Sequence, residues 1–337
     1  MRDRRANSDI FLRRHAWGDA SRHFLAGDAS DRSYDRLTRP GETAILMDAP
    51  PGTGDDPADF VAIAGHLHGI GLSAPRILAQ DLDQGFLLIE DLGDALFTRV
   101  LDHDPNREAA LYLSAADVLA HLHRSPAPPG LPDLAAADWA QAAVFALDWY
   151  AFGATAMRHD ATAFVDILTK TLQRHADGPR VMILRDYHAE NLLDLPDRLG
   201  VKAVGLLDFQ LAQMGQPGYD LVSLLQDARR DVSGAVVART LRHFIETTGR
   251  DEGGFQASFA VLGAQRSLRI LGIFARLCMV GGKTRYLRLI PRVWRHLETN
   301  LTHPALHDLR RVCAPLLPAP TAAILQQIGD QCASHSP

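Results

Sequence analysis

The sequence predicts an α+β protein built as two lobes, and three observations carry that expectation. The first ninety residues are short apolar or alternating stretches parted by turn residues, with one main helix among them. From residue 94 onward apolar residues recur at helical spacing, except in one strand–loop–strand passage near 181–210. Between them stands Glu90-Asp91-Leu92-Gly93, short, acidic and closed by glycine. It marks residues 91–93 as a hinge between a small β-rich N-terminal lobe, 1–90, and a larger, mainly helical C-terminal lobe, 94–337. A β-rich lobe followed by a helical one predicts a cleft at the junction.

Residues 8–22 mix apolar and basic positions at helical spacing and predict an opening helix. Phe24 to Leu37 has a small, polar centre and alternating ends, which predicts strand, tight loop, strand. Thr43 to Met47 is a third strand, stopped by Ala49-Pro50-Pro51-Gly52. Phe60, Ile63 and Leu67 set a helix over 57–70, ended by Gly69 and Gly71. Ile77 to Ala79 and Phe86 to Ile89 read as paired strands around Asp83-Gln84-Gly85. Beyond the hinge, helices are expected at 107–124, 138–153 and 160–176, with a proline-rich connection from Pro126 to Pro132. After the strand passage, further helices are expected near 218–230, 234–248, 253–279, 284–300, 304–315 and 319–333.

The chain has 337 residues, 47% hydrophobic and 22% charged, enough for a large core. Its formal charge of −5, and the absence of any basic run interleaved with aromatics, exclude an obvious nucleic-acid partner. No apolar run approaches the ~20 residues of a membrane span. Met1-Arg2-Asp3-Arg4-Arg5 leads into no apolar core, so no signal peptide is expected, and the protein reads as cytoplasmic with no obligate protein partner evident. Cys278, Cys313 and Cys332 are odd in number and far apart, and read as reduced thiols. The only lysines are Lys170, Lys202 and Lys283. A site near the N-terminus that needs a permanent cation must therefore use arginine.

The chemistry concentrates in Val181 to Asn191 and in Val204 to Gln210. Each begins as an apolar strand and ends in carboxylate or amide groups. Asp186 and Asn191 have the Asp-x-x-x-x-Asn spacing of a phosphoryl-transfer catalytic loop, and Asp208-Phe209-Gln210 follows where such sites hold a magnesium aspartate. Phosphoryl transfer needs a carboxylate beside the attacking hydroxyl and hard oxygen ligands for Mg²⁺ on the triphosphate. Gly282-Lys283-Thr284 mimics the end of a P-loop, but the required first glycine falls at Leu277 and a helical segment precedes it.

These motifs resemble the aminoglycoside phosphotransferase and choline kinase group, relatives of protein kinases with the same two-lobed fold. Asp186-x-His188-x-x-Asn191 with Leu192-Leu193, then Asp208, then Pro217-Gly218-Tyr219-Asp220-Leu221 carry the resemblance, which spans roughly residues 20 to 300. Gly27 through Tyr34, Leu46 through Pro51, Arg185 through Asn191 and Asp220 through Asp231 are similar to bacterial anomeric sugar kinases, which phosphorylate N-acetylmuramate and N-acetylglucosamine in cell-wall recycling. The resemblance implies an ATP- and Mg²⁺-dependent kinase with a small-molecule sugar substrate. Asp186 would be the base, and Asn191 and Asp208 the magnesium ligands. Ser30, Asp31, Arg32, Arg36, Met47, Glu90 and Leu92 would line the ATP site, with backbone groups around Glu90 to Leu92 at the adenine. Arg185, His188 and Asp220 would support the loop. Trp149, Tyr150 and Arg229 would be near the substrate, the aromatic pair on the pyranose and Arg229 on a carboxylate.

Two departures matter. Met47 stands where this group has a third-strand lysine, and residues 57–70 hold no glutamate to pair with one. Either Arg32 or Arg36 supplies the missing charge, or the chain is a pseudokinase. A further alternative is an aminoglycoside or choline-like substrate. Residues 301–337 carry only Asp308 and Asp330 as carboxylates, which disfavours a polycation.

Overall fold

The computed structural model describes residues 2–27 and 32–335. The fold is protein-kinase-like: a five-stranded antiparallel N-lobe sheet and a mostly helical C-lobe, 54% of the chain being helix. By packing, the chain forms two compact units whose limits differ from the expected lobes. One contains residues 1–128 and 184–212, the other 129–183 and 213–337.

In the first unit, α1 (Arg2–Arg14) precedes β1 (Ser21–Gly27), β2 (Ser33–Arg39), β3 (Glu42–Asp48), α2 (Pro57–Gly69), β4 (Ile77–Asp81) and β5 (Phe86–Glu90). The opening helix thus lies earlier than the 8–22 expected. Residues 15–20 turn, and 21–27 are taken by the sheet edge, where pairing to β2 overrides helical spacing. The sheet order is β1-β2-β3-β5-β4, and the inner strands β3 and β5 are buried along four successive positions each. Burial on both faces explains their unbroken apolar runs. Phe11 and Leu12 of α1 pack with Trp17, Leu37, Ala44, Leu46, Phe86 and Leu88 on one face. Successive strand residues alternate sides, so Ile45 and Met47 point to the other. Gly85 closes β4 to β5 at φ +72°; a Cβ there would lie 1.9 Å from the Ala49 carbonyl oxygen, whereas glycine lets its own carbonyl accept from Ala49 N at 2.9 Å. Asp56 caps α2 through Ala58 N, with Pro57 in the first turn.

Then follow α3 (Phe97–His103) and α4 (Glu108–Arg124). The short α3 carries no capping side chain and was not expected from the sequence. From the second unit's α5 (Ala136–Ala143), a π-helical turn at 146–151 leads to α6 (Phe152–Thr155) and α7 (Thr162–His175). Next come β6 (Val181–Ile183), β7 (Leu192–Asp194), β8 (Val204–Leu206) and β9 (Gln213–Gly215). Helices α8 (Tyr219–Leu225), α9 (Gly234–Thr248), α10 (Glu252–Met279), α11 (Ile290–Leu301), α12 (His307–Leu316) and α13 (Ala322–Gly329) complete the chain. The second unit is built on the 28-residue α10. At Gly272 a Cβ would lie 2.1 Å from the backbone of Phe145, so only glycine admits the π turn this close.

The cysteine expectation is corrected here. Cys278, at the end of α10, is bonded to Cys332, just past α13, with Cα atoms 4.8 Å apart. Fifty-four residues of separation hid the pairing. Cys313 is the free, buried thiol, and burial pushes its pKa up to about 12.

Candidate active site

The candidate catalytic loop is placed by a hairpin. β7 and β8 pair antiparallel, Leu192 opposite Leu206, and the ladder continues as Leu207 N donates to Asn191 O at 2.9 Å. The sixteen residues between Asn191 and Asp208 are therefore spent on a hairpin that returns one to the other. Asn191 Nδ2 lies 3.5 Å from Asp208 Oδ2. The same nitrogen donates to the Asp186 carbonyl at 2.9 Å, and Asn191 N donates to His188 O at 2.8 Å. One asparagine thus ties the segment bearing Asp186 to the one bearing Asp208. Arg185 (φ +71°) and Asp208 (φ +55°) both hold the left-handed backbone that non-glycine residues rarely adopt, a local strain that clusters at functional sites.

The loop is anchored behind. The Tyr187 hydroxyl donates to Ala115 O of α4 at 2.9 Å, and Thr98 N of α3 donates to Ala189 O at 3.4 Å. His188 is buried, its Nε2 3.4 Å from Asn191 Nδ2, and so stands in the loop's frame. Arg107 grips Asp194 through both terminal nitrogens, at 2.8 and 3.2 Å.

Arg32 is only 4% exposed, and its Nη2 stands 3.4 Å from Asp208 Oδ1 and 3.5 Å from Asp55 Oδ2. Gln210 Nε2 donates to the same Asp208 oxygen at 2.9 Å and reaches Asp55 Oδ2 at 3.4 Å. Asp55 and Gln210 were not singled out from sequence. The acidic Gly54-Asp55-Asp56 run before α2 was the only signal for Asp55, and it did not separate the carboxylate at the site from the helix cap. Arg36 is placed elsewhere: its Nε is 2.8 Å from Asp91 Oδ2 and its Nη1 2.7 Å from Asp94 Oδ2. These bonds raise its pKa and lower that of Asp94. Arg36 binds the 91–94 segment to β2. Met47 is wholly buried in β3 between Tyr34 and Leu87, so the lysine position has become core. Where α2 lacks a glutamate, it meets this region by apolar contact, Phe60 stacking on Phe209 with centroids 4.8 Å apart. Glu90 ends β5, held by Arg198 at 2.9 Å and Arg76 at 3.3 Å, and Leu92 packs on Gly205. Ser30 and Asp31 lie outside the described residues.

In the second unit, Asp220 is fully buried in the first turn of α8. Tyr150 is corrected: it is fully buried in the π turn, its hydroxyl donating to Pro318 O at 2.6 Å, and has no face left for a sugar. Trp149 is half-buried, with the Arg276 guanidinium 5.6 Å from its ring centroid. Arg229 follows α8, its backbone nitrogen donating to Asp227 Oδ1 at 2.8 Å.

Asn191 and Asp208 suit a hard cation. The asparagine nitrogen is engaged with the Asp186 carbonyl and lies 3.5 Å from Asp208 Oδ2, which leaves the amide oxygen as the atom a cation would take. Mg²⁺ is usually held by one or two such protein oxygens, with phosphates supplying others. Among the described residues no group of three or more His, Cys, Asp or Glu could hold a metal by itself.

The comparisons with known proteins bear on the family and the fold. Residues 21–255 match the phosphotransferase enzyme family. The chain is 38% identical to an N-acetylmuramate/N-acetylglucosamine kinase of Caulobacter vibrioides, over 91% of this chain and 95% of that protein. It is 33% identical to a kinase of the same name from Pseudomonas aeruginosa, over 89% and 90%. Among solved structures it is similar to a putative aminoglycoside phosphotransferase from Ralstonia eutropha, with TM-score 0.62, 17% identity and 90% and 97% of the two chains covered. It also resembles an ADP-bound aminoglycoside phosphotransferase, with TM-score 0.55, 12% identity and 87% and 97% covered. With a family match over residues 21–255 and relatives at 33–38% identity over about nine-tenths of its length, the chain belongs to the phosphotransferase enzyme family.

Proposed function

We propose that this protein is an ATP- and Mg²⁺-dependent cytoplasmic kinase that transfers the γ-phosphate to the anomeric hydroxyl of N-acetylmuramate and N-acetylglucosamine. The observation that carries it is the junction of Asp186, Asn191 and Asp208 through one asparagine side chain, on a chain 38% identical to a kinase named for those sugars. No helix of the described residues is long and apolar enough to cross a membrane. Residues 1–90 are the nucleotide-binding lobe, 91–93 the hinge, and 94–337 carry the catalytic loop and sugar site.

Asp186 orients the sugar hydroxyl and accepts its proton as the bond to phosphorus forms, a contribution of roughly 10²–10⁴ in rate. Asn191 and Asp208 would hold Mg²⁺, whose charge offsets that of the phosphates when bound. Arg32, buried against Asp208, is the cation that meets the triphosphate in place of lysine, since arginine grips phosphate through two nitrogens. Glu90 to Leu92 present backbone groups to adenine. Arg185 and His188 hold the loop.

The test is ADP release from Mg-ATP with N-acetylmuramate, N-acetylglucosamine, kanamycin and choline. Turnover is expected with the two amino sugars. Turnover with kanamycin or choline alone, or with no acceptor at all, refutes the assignment.

A further inference from the structure

Asp55 directly precedes the cap of α2, and packing brings it to the candidate site. Phe60, in the first turn of α2, stacks on Phe209 with both rings buried. That contact holds the start of α2 beside the segment that carries Asp208 and Gln210. Asp55 Oδ2 lies 3.5 Å from Arg32 Nη2 and 3.4 Å from Gln210 Nε2. The same two donors reach Asp208 Oδ1, at 3.4 and 2.9 Å. Two carboxylates of the first compact unit thus share one guanidinium and one amide. The acidic neighbours differ from Asp55: Asp56 caps the helix through Ala58 N, and Asp59 is exposed.

The two carboxylates that share Arg32 are not equivalent. Arg32 is buried and always charged, so it needs an opposite charge beside it. Asp208 is one of the two oxygen donors proposed above for Mg²⁺, and an oxygen committed to a cation no longer holds a guanidinium. Asp55 is outside that pair of ligands. Of the two, it is the carboxylate left to Arg32 when the site is loaded. A guanidinium has five N–H groups in a fixed fork, so one nitrogen held on Asp55 leaves others for phosphate oxygens.

We infer that Asp55 is a positioning residue, which holds Arg32 in the orientation that meets the nucleotide's β- and γ-phosphates, with Gln210 tying it to Asp208. This rests on the role proposed above for Arg32 in an ATP-dependent kinase and adds the carboxylate on which that role depends. The sign of the effect is distinctive. A carboxylate that acts on an anionic ligand through its own charge repels it, so its removal tightens binding. A carboxylate that acts through Arg32 does the reverse, and its removal loosens binding.

The experiment measures the Kd of the β,γ-imido analogue of ATP and of AMP by calorimetry, with Mg²⁺ present and no acceptor. It compares wild-type protein, Asp55→Asn, Arg32→Gln, the double variant and Asp56→Asn. Asp55→Asn is expected to raise the Kd of the triphosphate about tenfold, the range of a charge-assisted hydrogen bond, and to leave that of AMP within about twofold. Added to Arg32→Gln, it is expected to cost no more than about twofold further, because the residue it acts through is already gone. Asp56→Asn keeps a capping side chain and is expected to leave both Kd values unchanged. An unchanged or lower triphosphate Kd in Asp55→Asn, a full loss on top of Arg32→Gln, or an equal loss in Asp56→Asn overturns the inference while the kinase reading stands. No binding of the triphosphate by wild-type protein overturns that reading, and this inference with it. Should Asp55→Asn not fold, Asp55→Ser gives the same comparison with the same outcomes.

Discussion

At the scale of single residues, the site divides into groups that chemistry demands and groups that only packing reveals. Asp186→Asn is expected to keep ATP affinity and lose about 10²- to 10⁴-fold in kcat, measured by ADP release alongside nucleotide titration. The two arginines differ in kind. Arg32→Ala is expected to raise the KM for ATP about tenfold or more, whereas Arg36→Ala is expected to leave it within about threefold and to lower stability by about 1 kcal/mol, read from chemical denaturation. An unchanged KM in Arg32→Ala would remove arginine as the substitute for lysine. The meeting of Asp186, Asn191 and Asp208 was legible in sequence because the chemistry proposed for them fixes both residue type and spacing. Asp55 was not, since an acidic loop shows its charge and not which oxygen faces the site. The difference between Arg32 and Arg36 was equally hidden: it depends on the partners at Asp91 and Asp94, which only the folded β2 brings together.

At the scale of elements, periodicity found the long helices because each must bury a stripe. The boundaries of α2, α4, α7, α9 and α10 lie within two residues of expectation. It failed on α3, too short for a stripe, and on α1, where the sheet edge took residues that read as helix. Helix α11 carries the pH dependence. The folded pKa of His296 is about 4, against about 6.5 when unfolded, so between those values the unfolded chain binds the extra proton. The stability tied to His296 is thus complete above pH 6.5 and is lost as pH falls toward 4. The loss is expected to reach about 3 kcal/mol and to be seen as a lower denaturation midpoint at pH 4.5 than at pH 7.5. His296→Asn should flatten this dependence. If it does not, the acid sensitivity belongs to other groups.

At the scale of the molecule, α10 and the C-terminal segment are joined by the Cys278–Cys332 bond. In the chain-entropy picture, closing a loop of this length stabilises by about 4 kcal/mol. Reduction is therefore expected to lower the thermal midpoint of wild-type protein and not that of Cys278→Ser, and an equal midpoint in both redox states would show that the bond does not hold in solution. Composition could not reveal it, because an odd cysteine count is silent on which two meet.

The division of the chain into units also has a consequence in time. Residues 184–212 belong to the same compact unit as residues 1–128, yet 55 residues of the other unit, 129–183, are made between them. During synthesis the sheet and its first helices emerge while Ser73 and Leu96 still await their β-bridge partners, Gly205 and Leu193. At about 5–20 residues per second, the 84 residues from 128 to 212 take about 4–17 s to make. For that interval the N-terminal half is a nascent chain with an open edge, and the peptide that closes it is the one that carries Asp186, Asn191 and Asp208. Completion of that unit and delivery of the groups proposed to be catalytic are a single event on the ribosome.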